Sequence, residues 1–243
     1  MSLIPQQNKE ELSRYVIRRE MVTEVLGFIL GGDLNVQSFK LGKGKRRDKE
    51  GLIHNLIFKR KSKNTYESND LWILNEEYVH YDACSEIPIN QITDNEGNKI
   101  LRDISDEDVV RFGLSLDMRP DIYINPKEGK CIIVELKSID SDLTKDIPQV
   151  NKYCNLIANY SRKKIDSFYC YLIGENLNES FLPGEFEKTV NGDYFKPKTN
   201  VRSFKNRDNT IAYMQMEIIK LSSIYERAKR RNKSFSSHLG LGG

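Results

Sequence analysis

Apolar residues recur at helical spacing in two long segments of the chain. From Glu10 to Leu30 they follow every third or fourth position, and Gly31-Gly32 favours a helix end there. From Leu143 to Tyr160 a similar stripe appears, with Pro148 early enough to lie in a first helical turn. The pattern predicts a helix in each segment. A shorter helix is predicted over "KEGLIHNLIF".

Other stretches are typical of strands. Residues 71–81, "LWILNEEYVHY", predict a strand or a bent strand pair, and residues 118–138 predict a hairpin that folds about the turn "PKEG". The apolar run "SFYCYLI", residues 167–173, is typical of a strand buried on both faces. Residues 82–118 give no clear assignment, and residues 210–231 predict a long helix. From "KEGLIHNLIF" to residue 173 the predicted order is helix, three strands, helix and strand.

Composition is that of a globular α/β protein. The chain has 243 residues, 38% hydrophobic and 30% charged, which is enough to bury a sizeable core. No apolar run is long enough to cross a bilayer, and the N-terminus lacks the apolar core of a signal peptide, so we expect a cytoplasmic protein without membrane contact. The cysteines Cys84, Cys131, Cys154 and Cys170 form no CxxC pair, and we expect buried free thiols rather than metal ligands or disulfides.

The net charge of +3 conceals a strong asymmetry along the chain. Residues 40–63 hold ten Lys/Arg against two acids and residues 196–233 hold eleven against three, whereas residues 64–121 hold four against fourteen. Solvated helices and loops explain such runs, and a polyanionic partner is the alternative. The candidate nucleic-acid contacts are Lys45, Arg46, Arg47, Arg119, Arg227, Lys229, Arg230 and Arg231.

The predicted hairpin brings two carboxylates together. Folding about "PKEG" pairs residues whose numbers sum to 255 or 256, which sets Asp121 opposite or diagonal to Glu135. At about 5 Å and an effective dielectric near 20, their repulsion is about 3 kcal/mol. Lys137 shares the face of Glu135, because side chains alternate along a strand. The simplest relief is a hard divalent cation, so the sequence predicts a Mg²⁺ site in which Mn²⁺ can substitute.

These residues resemble a known family. "RPD" followed after a turn by "ELK" is similar to the signature of the PD-(D/E)xK nuclease superfamily. The resemblance implies a restriction-endonuclease-like αβββαβ core, with a mixed central sheet flanked by helices and additional N-terminal and C-terminal helices. It also implies that Asp121 and Glu135 bind metal and that Lys137 is catalytic.

Two further elements extend the resemblance. "QVNKY" is similar to the QxxxY element of one branch, which implies catalytic roles for Gln149 and Tyr153, although core packing also explains a helical Tyr. Glu50 resembles the additional acid of the first core helix, which implies a third metal ligand; its alternative is an ordinary first-turn acid. For His54, one turn later, the spacing departs from the family pattern, and packing is the simpler interpretation.

A looser resemblance covers most of the chain. Segments such as "LSRYVIRREMVTEVL" and "GLIHNLIF" are similar to the nuclease-like C-terminal portion of bacterial proteins with a histidine-kinase-like ATPase domain, some linked to defence against foreign DNA. The predicted organisation is an N-terminal helical segment over 1–40, a nuclease-like core over 41–195 and a basic C-terminal helical extension over 196–243. A homodimer and a partner ATPase domain are the candidate protein assemblies.

The function expected from the sequence is Mg²⁺-dependent hydrolysis of phosphodiester bonds, with DNA as the expected substrate, in phage defence or DNA processing. Two alternatives remain open. One is a catalytically idle nuclease-fold module that binds nucleic acid or a protein partner. The other is an unrelated α/β interaction protein in which the "PD…ELK" match is a coincidence.

Overall fold

The computed structural model describes residues 6–34, 49–63 and 69–239. The α-helices in these ranges are α1 (Gln6–Gly31), α2 (Lys49–Ile57), α3 (Asp106–Phe112), α4 (Ile147–Tyr160) and α5 (Leu221–Leu239). The strands are β1 (Asp82–Ser85), β2 (Ile122–Asn125), β3 (Lys130–Leu136), β4 (Ser167–Gly174), β5 (Glu187–Lys188), β6 (Tyr194–Arg202) and β7 (Thr210–Lys220). Across these ranges, every helix is too short or too polar to pass through a bilayer.

All seven strands form one mixed sheet in the order β1-β2-β3-β4-β7-β6-β5. The strand β4 is parallel to both β3 and β7, and the other neighbouring pairs are antiparallel. Helices cover both faces of the sheet. The predicted α/β class with a mixed sheet flanked by helices is therefore confirmed.

The alternation of β3 fixes which side chains meet which helices. Ile133 belongs to the core that includes α4, whereas Val134 and Leu136 belong to the core formed with α1, α2 and α5. Successive side chains of a strand point to opposite faces, so Glu135 is directed to the α4 side. The end of β3 thereby carries a carboxylate into the interior.

Most elements predicted from periodicity are confirmed. The first two helices, the hairpin, the helix that ends at Tyr160 and the strand at 167–173 all form. In the hairpin, Ile122 faces Val134 and Tyr123 faces Ile133, as a pair sum of 256 requires. The four cysteines are buried free thiols, as predicted.

The prediction of a strand over residues 71–81 is wrong. This segment forms two short 3₁₀ helices, Leu71–Ile73 and Glu76–His80. Asn75 separates them, and its side chain accepts a hydrogen bond from the backbone N–H of Glu77. An Asn that bonds the backbone two residues ahead favours a turn over an extended strand. The predicted first strand is instead β1, which lies in the segment that the sequence left unassigned.

The prediction of one helix over residues 210–231 is also wrong. The segment is the strand β7 up to Lys220, and α5 begins only at Leu221. Ala212, Met214, Met216 and Ile218 are buried at every second position, and β7 is hydrogen-bonded along both edges. Pairing on two sides overrides a local helical pattern. The sheet thus continues beyond residue 196, where the sequence predicted a helical extension.

A buried arginine links three helical segments on one face of the sheet. Arg19 on α1 is 1% exposed, and its guanidinium lies 4.1 Å from the ring centroid of Trp72. It donates hydrogen bonds to the carboxylate of Glu76 at 2.9 Å and to the side-chain oxygen of Asn232 at 3.1 Å. One side chain therefore ties α1 to α5 and to the 3₁₀ segment.

We expect Arg19→Met to lower the free energy of unfolding by about 2 kcal/mol. The substitution keeps an unbranched stem but removes the donor to Asn232 and the two donors to Glu76, which retains only a 3.6 Å contact with Arg231 among the described residues. Lys229→Met is the control, because Lys229 is an exposed cation of α5 and its loss should change stability by less than about 0.5 kcal/mol. Urea unfolding followed by circular dichroism measures both. Equal stability of the two variants would contradict this role.

Candidate metal and catalytic site

The hairpin sets Asp121 beside the end of β3. Asp121 precedes β2, is 8% exposed and accepts a hydrogen bond on Oδ2 from the backbone N–H of Leu136 at 2.6 Å. Gly129 allows the tight turn, because its φ of +71° lies in the left-handed region. The register that follows from this turn brings Asp121 next to Glu135, as the sequence predicted.

Glu135 is the centre of a hydrogen-bonded chain. It is 2% exposed, and its Oε1 accepts hydrogen bonds from Nζ of Lys137 at 2.8 Å and from Nε2 of Gln149 at 2.7 Å. The same Gln149 amide donates to the hydroxyl of Tyr153, which donates to the carbonyl oxygen of Arg119 at 2.9 Å. The structure thus brings together four of the predicted catalytic residues, and Asp121 lies beside them.

The charges of this cluster do not balance. Burial, and then the charge of Glu135, raises the pKa of Asp121 from 3.8 to about 8. Burial also raises the pKa of Glu135, although Lys137 opposes the rise. Burial disfavours the charged form of Lys137, but the combined attraction to Glu135, Asp146 and Asp121 outweighs burial and raises the pKa of Lys137 above its usual value. Because Lys137 neutralises only one of the two acids, Asp121 keeps its proton at neutral pH, and ionisation of both acids would leave the interior short of positive charge.

Two buried carboxylate oxygens lack hydrogen-bond partners in the described part of the chain. They are Oε2 of Glu135 and Oε2 of Glu86. An unsatisfied buried acceptor costs about 1–3 kcal/mol, and more when it is charged. Both oxygens are suited to a cation.

A second group joins Asp121 from the other side. His54, Glu86 and Asp121 each offer a ligand atom, and these atoms all lie within 4.8 Å of one another, so the group can hold a metal ion. Nδ1 of His54 is 3.9 Å from Asp121 Oδ1 and 3.8 Å from Glu86 Oε1. Nε2 of His54 lies 2.7 Å from the hydroxyl oxygen of Ser85. Such a bond fixes the ring orientation and directs the other nitrogen toward the acids.

Sequence reasoning missed Glu86 in this group. Glu86 follows β1, a strand that the pattern did not reveal, and its backbone N–H donates to the carbonyl oxygen of Asp121 at 3.1 Å. Its φ of +50° is uncommon for a residue other than glycine, so its side chain is held by an unusual backbone conformation. Because residues 82–118 carry no clear periodic pattern, nothing in the sequence singled out Glu86. His54, for which packing was the simpler interpretation, is 1% exposed and belongs to the group.

Glu50 lies one turn before His54, in the first turn of α2. It is outside the three-residue group, but its charge contributes to the raised pKa of Asp121. Glu50 is therefore near enough to act electrostatically on Asp121, and its role as a third metal ligand stays a prediction.

The predicted nucleic-acid contacts are spread over different environments. Lys45, Arg46 and Arg47 lie outside the described residues. Arg227 pairs with Asp193, and Arg231 donates to the carbonyl oxygens of Trp72 and Ile73 at 3.0 and 2.7 Å, so both arginines also hold the fold together. The exposed members are Arg119, Lys229 and Arg230. Of these, Arg119 is the one whose backbone contacts the site.

Comparisons with protein-family models, with curated proteins and with solved structures gave no match. The family resemblance of the Asp121, Glu135 and Lys137 motif thus stays a prediction from the sequence. What the fold and site define is a mixed α/β protein with a seven-stranded sheet and a buried His54, Glu86 and Asp121 group that can hold a metal ion.

In EDTA, we expect the melting temperature to fall as the pH rises from about 4 to about 8. The folded chain holds the proton of Asp121 more tightly than the unfolded chain does, so this stabilisation is lost as the pH rises through the folded-state pKa of about 8. Asp121→Asn should weaken this dependence and raise the melting temperature at pH 8. A gain of about 1 kcal/mol corresponds to about 2–4 °C for a protein of this size.

Asp117→Asn is the matched control for this experiment, because Asp117 is exposed. It should follow the wild-type curve. Identical pH profiles for wild type and Asp121→Asn in differential scanning calorimetry would show that the carboxylate of Asp121 is not destabilised in the folded protein.

Proposed function

We propose that the chain is a metal-dependent nuclease that hydrolyses phosphodiester bonds in nucleic acid, with DNA as the expected substrate. The observation that carries the proposal is the convergence of Asp121, Glu135 and Lys137 at the end of the hairpin, with Glu135 Oε2 left unsatisfied. The element order supports it. From α2 onward the main elements are helix, β1, β2, β3, α4 and β4, with α3 inserted before β2, which is the order implied by the nuclease resemblance.

The residues fit a divalent cation. Asp121 and Glu135 offer hard oxygen ligands, with Glu50 nearby, and Mg²⁺ prefers such ligands. His54 and Glu86 add an imidazole and a carboxylate, a mixture that also suits Mn²⁺. When bound, the metal would polarise the scissile phosphate and lower the pKa of a water molecule.

The chain itself supplies position and charge. Lys137 is held between Glu135 and Asp146, whose Oδ1 lies 3.6 Å from Nζ, and its raised pKa keeps it protonated. A protonated lysine neutralises and orients a phosphate rather than removing a proton from water. Gln149 and Tyr153 are positioning residues. Gln149 donates to Glu135 Oε1 and to the Tyr153 hydroxyl, and Tyr153 in turn donates to the backbone carbonyl of Arg119, so this chain of bonds holds Glu135 in place.

A catalytically idle nuclease-fold module is the second candidate. The low exposure of Asp121 and Glu135, 8% and 2%, favours it, because a phosphate must reach these oxygens to be cleaved. In that case nucleic acid would bind without turnover. The nuclease assay below separates the two functions.

Purified chain should cleave linear, circular or single-stranded DNA with Mg²⁺ or Mn²⁺ and not with EDTA. We expect Glu135→Gln and Lys137→Met each to lower kcat by about 100-fold or more, because the first removes a charged metal ligand and the second removes the cation that neutralises the phosphate. Lys145→Met is the matched control, since Lys145 is an exposed lysine in the same region and its loss should leave kcat unchanged.

Metal binding provides a readout that does not depend on turnover. Mn²⁺ should raise the melting temperature of wild type and of Lys137→Met, but not that of the double variant Asp121→Asn/Glu135→Gln. Metal stabilisation without cleavage on any DNA or RNA substrate would favour the idle module. Absence of both would exclude the proposed site.

The basic segments should carry the nucleic-acid backbone. Wild type is expected to bind DNA with an affinity that falls steeply with salt. Replacing Lys45, Arg46 and Arg47 by alanine should reduce the slope of log K against log salt by about 0.9 per lost phosphate contact. Replacing Lys229 and Arg230 tests the second cluster without disturbing Arg227 and Arg231. Fluorescence anisotropy measures the slope. An unchanged slope in both variants would mean that these basic residues are solvated and do not contact nucleic acid.

A further inference from the structure

The outward face of α1 exposes large apolar side chains. Ile17, Met21 and Phe28 are 53%, 60% and 48% exposed, although the opposite face of the same helix is buried through residues such as Leu26 and Ile29. Single exposed apolar residues are ordinary, but these three lie on one face of the helix, because positions four and seven apart are neighbours there. Together they form an apolar stripe on the surface.

Charged residues precede the stripe on the same face of α1, and one, Glu24, lies within it. We define the α1 seam as the exposed positions Glu10, Arg14, Ile17, Met21, Glu24 and Phe28. Their spacing alternates between four and three residues, which is the a/d repeat of helices that pair side by side. At about 1.5 Å per residue the α1 seam is about 27 Å long.

The α1 seam is complementary to itself when it is reversed. An antiparallel copy in which paired residue numbers sum to 38 sets Ile17 against Met21. In the same register Arg14 meets Glu24, and Phe28 meets the aliphatic stem of Glu10. Each apolar contact and each ion pair occurs twice, as a two-fold symmetric interface requires.

We propose that α1 docks antiparallel on α1 of a second copy of this chain. The charges favour this occupant and this orientation. Neither Arg14 nor Glu24 forms an ion pair with the described residues, so both are available to a partner. A parallel pair would instead set Arg14 against Arg14 and Glu24 against Glu24, which is repulsive. Charged residues at a or d positions commonly select register and orientation at some cost in affinity.

The expected dimer is weak and depends on concentration. A single helix pair buries less than the roughly 1,200 Å² of a standard stable interface. The interface uses no residue of the metal and catalytic site, so this proposal stands or falls independently of the proposed nuclease function.

Charge reversal tests both the partner and the orientation. Sedimentation velocity between about 5 and 200 µM should show wild type shifting from monomer to dimer. Arg14→Glu and Glu24→Arg should each remain monomeric alone, because each places like charges opposite one another twice. An equimolar mixture of the two variants should form a heterodimer, and the double variant Arg14→Glu/Glu24→Arg should regain the wild-type dimer.

Glu11→Arg is the control, since Glu11 is exposed on α1 but lies outside the α1 seam. It should dimerise like wild type. Recovery of association in the mixture cannot come from misfolded variants, so this arm holds even if one variant is less stable. A wild type that stays monomeric, or a dimer that neither single charge reversal weakens, would overturn the proposal.

Discussion

Antiparallel pairing of β2 with β3 forces two carboxylates into one buried corner, and the surrounding contacts follow from that constraint. Asp121 accepts a hydrogen bond from the backbone N–H of Leu136, and Glu135 accepts hydrogen bonds from the side chains of Lys137 and Gln149. These donors lower the cost of burying the acids but do not remove it, since burial keeps both pKa values raised. Burial of apolar side chains on the two faces of the sheet supplies the free energy that offsets the remaining cost of burying the two acids.

The sheet also explains why the site can be rigid. β3 lies between β2 and β4, so its end is held by hydrogen bonds on both edges. Helices approach this end from different elements: α2 brings His54 and α4 brings Gln149. A site whose members sit on strands and helices is held more precisely than one built on loops. Arg19 stabilises the layer that contains α2, because it links α1 to α5 on that face of the sheet.

Sequence periodicity predicted those parts of the site that depend on local geometry. The hairpin register follows from turn position and strand alternation, so Asp121, Glu135 and Lys137 were predicted to converge from the chain alone. The contributions of His54 and Glu86 were not, because they depend on where α2 and the short strand β1 dock. The helix predicted over β7 failed for a related reason. Its apolar pattern fits both the helical and the strand period. Pairing with β4 and β6 decides for the strand, and such pairing between distant segments cannot be read from the local sequence.

The hydrogen bonds of the two hairpin acids differ in how much coordinating capacity they would leave for a cation. Asp121 commits Oδ2 to the end of the β ladder and Glu135 commits Oε1 to Lys137 and Gln149. Glu135 Oε1 accepts two hydrogen bonds and has no lone pair left for a cation, whereas Asp121 Oδ2 accepts one and keeps a lone pair. A cation bound here would meet Glu135 through Oε2 alone, and this arrangement would offer less to a large ion such as Ca²⁺, which uses bidentate carboxylates to fill its six to eight positions. The two donors from Lys137 and Gln149 would thus limit Glu135 to one-oxygen binding of any cation held at this corner.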